Sequence, residues 1–147
     1  MDGIDISLVK TNGIHLERLN ENYFYEYSNA TKKFLSSINY HDIYLNLKRK
    51  SMLDEIITNE HFKALNNLDI INKCDLIGFH GQTIYHNPDL KCSIQLGDPL
   101  KLAKLCNKDV VFDYRSKDLE YGGQGAPLAP IYHKFIIEDL GINLPSC

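Results

Sequence analysis

From residue 75 onward, short apolar runs alternate with capped helical stretches, and that alternation points to an α/β architecture. Asp75-Leu76-Ile77-Gly78-Phe79 and Val110-Val111-Phe112 are apolar runs that stop at polar clusters, the pattern of buried strands feeding functional loops. Between them, Asp98-Pro99 precedes Leu100, Leu102, Ala103 and Leu105. The aspartate can accept end amides and proline suits the first helical position, so a helix is predicted there. Ala126-Pro127-Leu128 repeats the arrangement and predicts a helix through about Ile137. In sheets of this class ligands bind at the carboxyl ends of strands.

The first half reads differently. Ile4 to Val9 is a predicted strand, Asn12-Gly13 a tight turn, and Ile14 to Tyr27 a hairpin partner. Ser28 is placed to cap a helix through about Ile38. Leu45, Met52, Leu53, Ile56, Ile57, Phe62, Leu65 and Leu68 fall three and four apart, which marks one or two amphipathic helices. Thr58-Asn59 is the candidate break between them.

Composition excludes several classes. The chain has 147 residues, 44% hydrophobic and 24% charged, enough for one domain with one core. A net charge of −3 gives no electrostatic reason to expect nucleic acid or an anionic membrane as partner. No run approaches the ~20 apolar residues of a membrane span. Met1-Asp2-Gly3-Ile4-Asp5 lacks the basic-then-apolar layout of a signal peptide. Cys74, Cys92, Cys106 and Cys147 show no metal spacing, so reduced thiols in a cytoplasmic protein are expected.

Three polar clusters carry the candidate chemistry. In His80-Gly81-Gln82-Thr83, glycine lets backbone approach a ligand, and Gln82 and Thr83 offer neutral hydrogen bonds suited to sugar hydroxyls. An ordinary polar turn is the alternative. His80 and His86 have no third ligand nearby for a metal. In Asp113-Tyr114-Arg115-Ser116-Lys117-Asp118, Arg115 can hold a carboxylate bidentately and Asp113 sits at a strand end. A local ion-pair network with Lys117 and Asp118 is the alternative there. Gly122-Gly123-Gln124-Gly125-Ala126-Pro127 leaves backbone amides free for an anion or an oxygen-rich ligand, or is simply a tight connector. No Lys-Ser or Lys-Thr follows, so it is not a Walker loop. All three clusters follow strand-like runs in this reading, which argues for one shared, polar, sugar-like site.

Taken together, these strings resemble the anhydro-N-acetylmuramic acid kinases. The resemblance rests on Ile77 to Thr83 with His86, Gln95-Leu96-Gly97-Asp98, Val111 to Asp118, and Gly122 to Leu128, in matching order and spacing. It implies an α/β fold, a partial actin, hexokinase and heat-shock-70 ATPase-like (ribonuclease H-like) domain over residues 1–147. The first strand and the second domain would be absent. It implies ATP-dependent phosphorylation of 1,6-anhydro-N-acetylmuramic acid at the 6-oxygen with hydrolytic ring opening, a step of peptidoglycan recycling. His80, Gln82, Thr83, Asp113, Arg115, Gly123 and Gln124 would then contact the sugar, Arg115 through its lactyl carboxylate. Asp2, Gly3 and Asp5 would lie at the nucleotide phosphates with Mg²⁺.

Where the family carries an apolar strand and a Gly-Thr-Ser turn before Asp-Gly-x-Asp, this chain has Met1 directly before Asp2-Gly3-Ile4-Asp5. The family's catalytic aspartate lies beyond the position of Cys147, so no catalytic residue is assigned here. Loss of a water-activating base costs about 10²–10⁴-fold in rate, and phosphoryl transfer also needs its phosphate loops. The expectation is therefore a truncated chain inactive alone, with open sheet edges. The alternatives are one chain of a split two-chain kinase and a non-catalytic muramyl-sugar-binding module.

Overall fold

The computed structural model describes residues 2–13, 15–38, 47–139 and 141. β1 (Gly3–Thr11) and β2 (Leu16–Glu26) form an antiparallel hairpin. Ile4, Ile6 and Leu8 turn inward while Asp5 and Ser7 face solvent, the period-two pattern of a half-buried strand. Register shifts between Leu8 and Val9, a bulge that sharpens the twist. At the turn, the Thr11 hydroxyl donates to the His15 carbonyl at 2.7 Å, and Asn12 accepts the His15 amide at 2.8 Å.

Ser28 then caps α1 (Asn29–Ser36), accepting the Thr31 amide at 3.1 Å. α2 (Leu47–Asn67) is one continuous helix. The break expected at Thr58-Asn59 does not occur, because the Thr58 hydroxyl bonds back to the Asp54 carbonyl at 2.6 Å and keeps the side chain within the helical path. The part of the expected helix before Leu47 lies outside the described residues.

β3 (Leu76–Gly78) pairs in parallel with β6 (Asp109–Val111), but only Ile77 of the six residues is buried, so the strands expected as buried runs are largely exposed. Between them β4 (Gln82–Asn87) and β5 (Cys92–Leu96) form a further two-stranded sheet. Gln82 and Thr83 thus belong to a strand rather than to a loop. α3 (Pro99–Cys106) starts as predicted, with Asp98 accepting the Lys101 amide at 2.9 Å, and ends at Asn107 in the left-handed conformation.

α4 (Ser116–Glu120) and α5 (Ala129–Asp139) complete the described elements. The glycine-rich segment therefore follows a short helix, not a strand, and α5 opens at Ala129, so Pro127 lies outside it.

The chain divides into two compact units, residues 1–84 with 95–112, and residues 85–94 with 113–147. The first has a core of Leu8, Leu65, Ile70, Ile77, Phe79, Leu102 and Cys106, in which the hairpin, α2, β3 and α3 all take part. Lys73 ties the turn after α2 to the hairpin, donating to Glu21 at 2.9 Å. Among the described residues of the second unit, Leu119 is the buried apolar side chain, 1% exposed. Cys74, Cys92 and Cys106 are unbridged. No described helix is long and apolar enough to cross a membrane.

Candidate functional site

The first unit holds a cavity of about 360 Å³. Its walls include Gly3 to Leu8 of β1 and Leu76 to Gln82 along and beyond β3, over an apolar floor of Leu65, Ile70 and Leu102. Four sequence-predicted residues, Gly3, Asp5, His80 and Gln82, thereby line one space. Asp2 sits just before β1, where its carbonyl accepts the Tyr27 amide at 3.0 Å. Thr83 is held from β5, its hydroxyl accepting from Gln95 Nε2 at 3.5 Å.

The local geometry explains the His80-Gly81 step. His80 Nδ1 lies 3.1 Å from the Gly81 carbonyl. Gly81 adopts φ +69, and a Cβ there would stand 2.5 Å from the Leu96 carbonyl oxygen. The backbone that approaches this glycine is thus β5 of the same chain, where the sequence pointed to a ligand. Behind Phe79, His61 packs edge-on at 4.9 Å between ring centroids, and burial pushes its pKa below the usual histidine value. Tyr27, also in the cavity wall, has its phenol pushed up to about 12 by burial and then by Glu60.

In the second unit, Asp113 adopts φ +58, uncommon for a residue with a side chain, and its Oδ1 accepts the Ser116 amide at 3.2 Å. This Asx-type turn sets the direction of Arg115, which immediately precedes α4 and is half-buried. The Asp118 carboxylate organises the glycine segment. Its Oδ2 accepts the Gly125 amide at 2.7 Å, and the Asp118 carbonyl accepts the Gly123 amide at 2.8 Å. A Cβ at Gly123 would meet that carboxylate, so a larger residue there would displace the Asp118 side chain from its place against the segment. The expectation that this segment leaves its amides free is not met for these two glycines, whose amides are spent on Asp118 within the chain. Gln124 is exposed at the tip.

The predicted residues therefore fall into two groups, one per unit. Asp2, Gly3, Asp5, His80, Gln82 and Thr83 belong to the first, and Asp113, Arg115, Gly123 and Gln124 to the second. Sequence reasoning missed the supporting roles of three residues, two of them on α2. Asp54 Oδ1 accepts the Gly97 amide at 3.0 Å, and the Thr58 hydroxyl accepts the Asp98 amide at 2.7 Å. Their i,i+4 spacing places both on one helix face, a signal that was available but silent about its partner. Asp118 is the other, recognisable as the carboxylate a few residues ahead of a glycine run.

These features define an α/β protein with neutral hydrogen-bonding side chains at Gln82, Thr83 and Gln124 and a guanidinium at Arg115, groups suited to an oxygen-rich ligand. A model of the anhydro-N-acetylmuramic acid kinase family matches residues 1–143, and the chain belongs to that family. It is 39% identical over 158 residues to an anhydro-N-acetylmuramic acid kinase of Pelagibacter ubique, covering 100% of this chain and 41% of that protein. The kinase of the same name from Rhodopseudomonas palustris is 34% identical over 155 residues, covering 99% and 42% respectively. A Jannaschia kinase is 34% identical over 132 residues, covering 90% and 34%. The chain thus spans about two-fifths of the length of the curated relatives it matches.

Proposed function

We propose that this chain is the amino-terminal part of a cytoplasmic ATP-dependent kinase for 1,6-anhydro-N-acetylmuramic acid, and that its own contribution is the sugar-binding face. The product would be N-acetylmuramic acid 6-phosphate, in peptidoglycan recycling. The observation that carries the reading is the Gly123–Gly125 segment drawn onto Asp118, in the same unit as Arg115, within a chain of this family. The Arg115 guanidinium is the donor a carboxylate-bearing sugar asks for, and the exposed Gln124 side chain adds a neutral one. Arg115 takes the lactyl carboxylate, Gly123, Gln124 and Asp113 meet the ring substituents, and His80, Gln82 and Thr83 complete the polar lining.

The fold in this reading is one part of an actin, hexokinase and heat-shock-70 ATPase-like domain. Asp2, Gly3 and Asp5 serve the nucleotide side. Mg²⁺ is commonly held by one or two carboxylates together with substrate phosphates, and Asp2, just before β1, and Asp5, within it, are the carboxylates this chain offers. The bound ATP–Mg²⁺ would supply the transferred phosphoryl group; the residues of this chain orient the sugar and no catalytic base is assigned among them.

Calorimetric titration with 1,6-anhydro-N-acetylmuramic acid tests this. Saturable binding is expected, with Arg115→Ala weakening it by about 10–100-fold, the loss of a charge-assisted bidentate contact. The matching sugar without the lactyl carboxylate should show little dependence on Arg115. Equal losses for both sugars would overturn the role of Arg115, and a folded chain giving no heat would overturn the binding face.

A further inference from the structure

Gln95-Leu96-Gly97-Asp98 is the one string of the family resemblance that supplies no residue to the sugar site, and its contacts point to a different task. α2 holds it in place. Asp54 Oδ1 accepts the Gly97 amide at 3.0 Å, and the Thr58 hydroxyl accepts the Asp98 amide at 2.7 Å. The turn that leaves β5 is thus tied at two successive amides to a helix of 21 residues, and the Leu96 side chain before it is fully buried. Phe79 and Gly81 lie against this fixed turn. A Cβ at Gly97 would stand 2.4 Å from Cζ of Phe79 and 2.9 Å from its Cε1, so the ring fills the space that a side chain at this position would need. A Cβ at Gly81 would stand 2.5 Å from the Leu96 carbonyl oxygen, the converse arrangement two residues further on.

The Phe79 ring also meets His61 edge-on at 4.9 Å, and the Phe79 amide donates to the Val111 carbonyl at 2.8 Å. Ring and backbone of Phe79 are therefore both fixed, and His80 is the next residue. Filling a core does not call for a glycine on each side of the contact, since each one loses more backbone freedom on folding and leaves its neighbour to supply the volume. What the pair does supply is close backbone approach, which seats Phe79–Gly81 on the turn at two points. We propose that Gly97 is a positioning residue of the sugar site. Through the Phe79 ring seated on it, Gly97 sets where His80, Gln82 and Thr83 stand, so side-chain volume at position 97 is read out in sugar affinity. This deepens the reading of the chain as a sugar-binding face and rests on it.

The test is a size exchange across the contact in the full chain, with 1,6-anhydro-N-acetylmuramic acid as the probe. Gly97→Ala puts a methyl group where the ring lies and should weaken binding about tenfold in calorimetry, with shifted backbone amide resonances from His80 to Thr83. Phe79→Leu empties the seat and should weaken binding by a similar factor. The double variant exchanges ring for methyl, so affinity should return to within about threefold of the parent and those resonances should move back. Its melting temperature should stay below that of the parent, because alanine at φ +118 remains strained and leucine buries less surface than phenylalanine. A role confined to packing predicts the opposite order, with the double variant least stable and weakest in binding, and that result would overturn the proposal. If Gly97→Ala does not fold, Phe79→Leu decides: weaker binding with displaced His80–Thr83 resonances supports the proposal, and parental affinity overturns it. A parent chain that gives no heat overturns the sugar reading and this proposal with it. A parent that binds, with variants that bind equally well, overturns this proposal alone.

Discussion

Replacing Thr58 by valine should destabilise the chain although the side chain keeps its shape. Thr58 is fully buried, at 0% exposure, and its hydroxyl has two duties. It donates to the Asp54 carbonyl at 2.6 Å and accepts the Asp98 amide at 2.7 Å, so it fixes the residue that caps α3. Valine conserves volume and has a similar helix propensity, which isolates the hydroxyl. The Asp54 carbonyl sits within the helical ladder and tolerates the loss. The Asp98 amide is left without its acceptor at a part-buried site, which costs about 1–2 kcal/mol. For a chain of this size that corresponds to a melting shift of about 3–6 °C. Thr58→Ser keeps both hydrogen bonds and loses a methyl group, at about 1 kcal/mol. Because Asp54 holds the neighbouring Gly97 amide, Asp54→Ala and Thr58→Val together should be non-additive by about 0.5–1 kcal/mol. Urea denaturation followed by circular dichroism measures each term. A valine variant as stable as the parent, with the serine variant weaker than both, would show that packing governs this site and refute the hydrogen-bond reasoning.

Two further outcomes follow from the geometry. Burial lowers the folded-state pKa of His61 below its unfolded value of about 6.5, so between those two values only the unfolded chain takes the proton. Stability should fall as pH drops through about 6.5 toward the folded value and be insensitive to His61 above it; His61→Gln should flatten that slope in urea titrations at successive pH values, and an unchanged slope would assign it elsewhere. Asp118→Ala releases the Gly125 amide and empties the space against Gly123, so affinity for 1,6-anhydro-N-acetylmuramic acid should fall by about 5–20-fold in calorimetry with about 1 kcal/mol lost in stability. Undiminished affinity would mean the loop is not part of the sugar face.

What could be read from the sequence was what local chemistry decides. Ser28 and Asp98 cap the helices that follow them, because a side-chain oxygen one residue ahead of a helix finds its amide within three residues. Asn12-Gly13 turns the hairpin for the same kind of reason. Thr58-Asn59 misled because β-branched and amide side chains lower helix propensity, while the Thr58 hydroxyl is used by a loop forty residues away in the chain. β4 and β5 escaped notice since most of their residues are half-buried on both faces, so no clean alternation marks them.

The same division explains the site. The residue types at His80–Thr83 and Gly122–Gly125 were visible, but the cause of each glycine was not. At Gly81 the close neighbour is the Leu96 carbonyl and at Gly123 it is the Asp118 carboxylate, and both are consequences of pairing rather than of composition. A glycine in a polar cluster therefore reports that something approaches, and only the fold says whether it is ligand or chain. If the chain's own groups fill both approaches, the segments are preset before any ligand arrives. Less ordering entropy is then spent on binding, which is why disturbing Asp118 should be felt at the sugar even though Asp118 need not touch it.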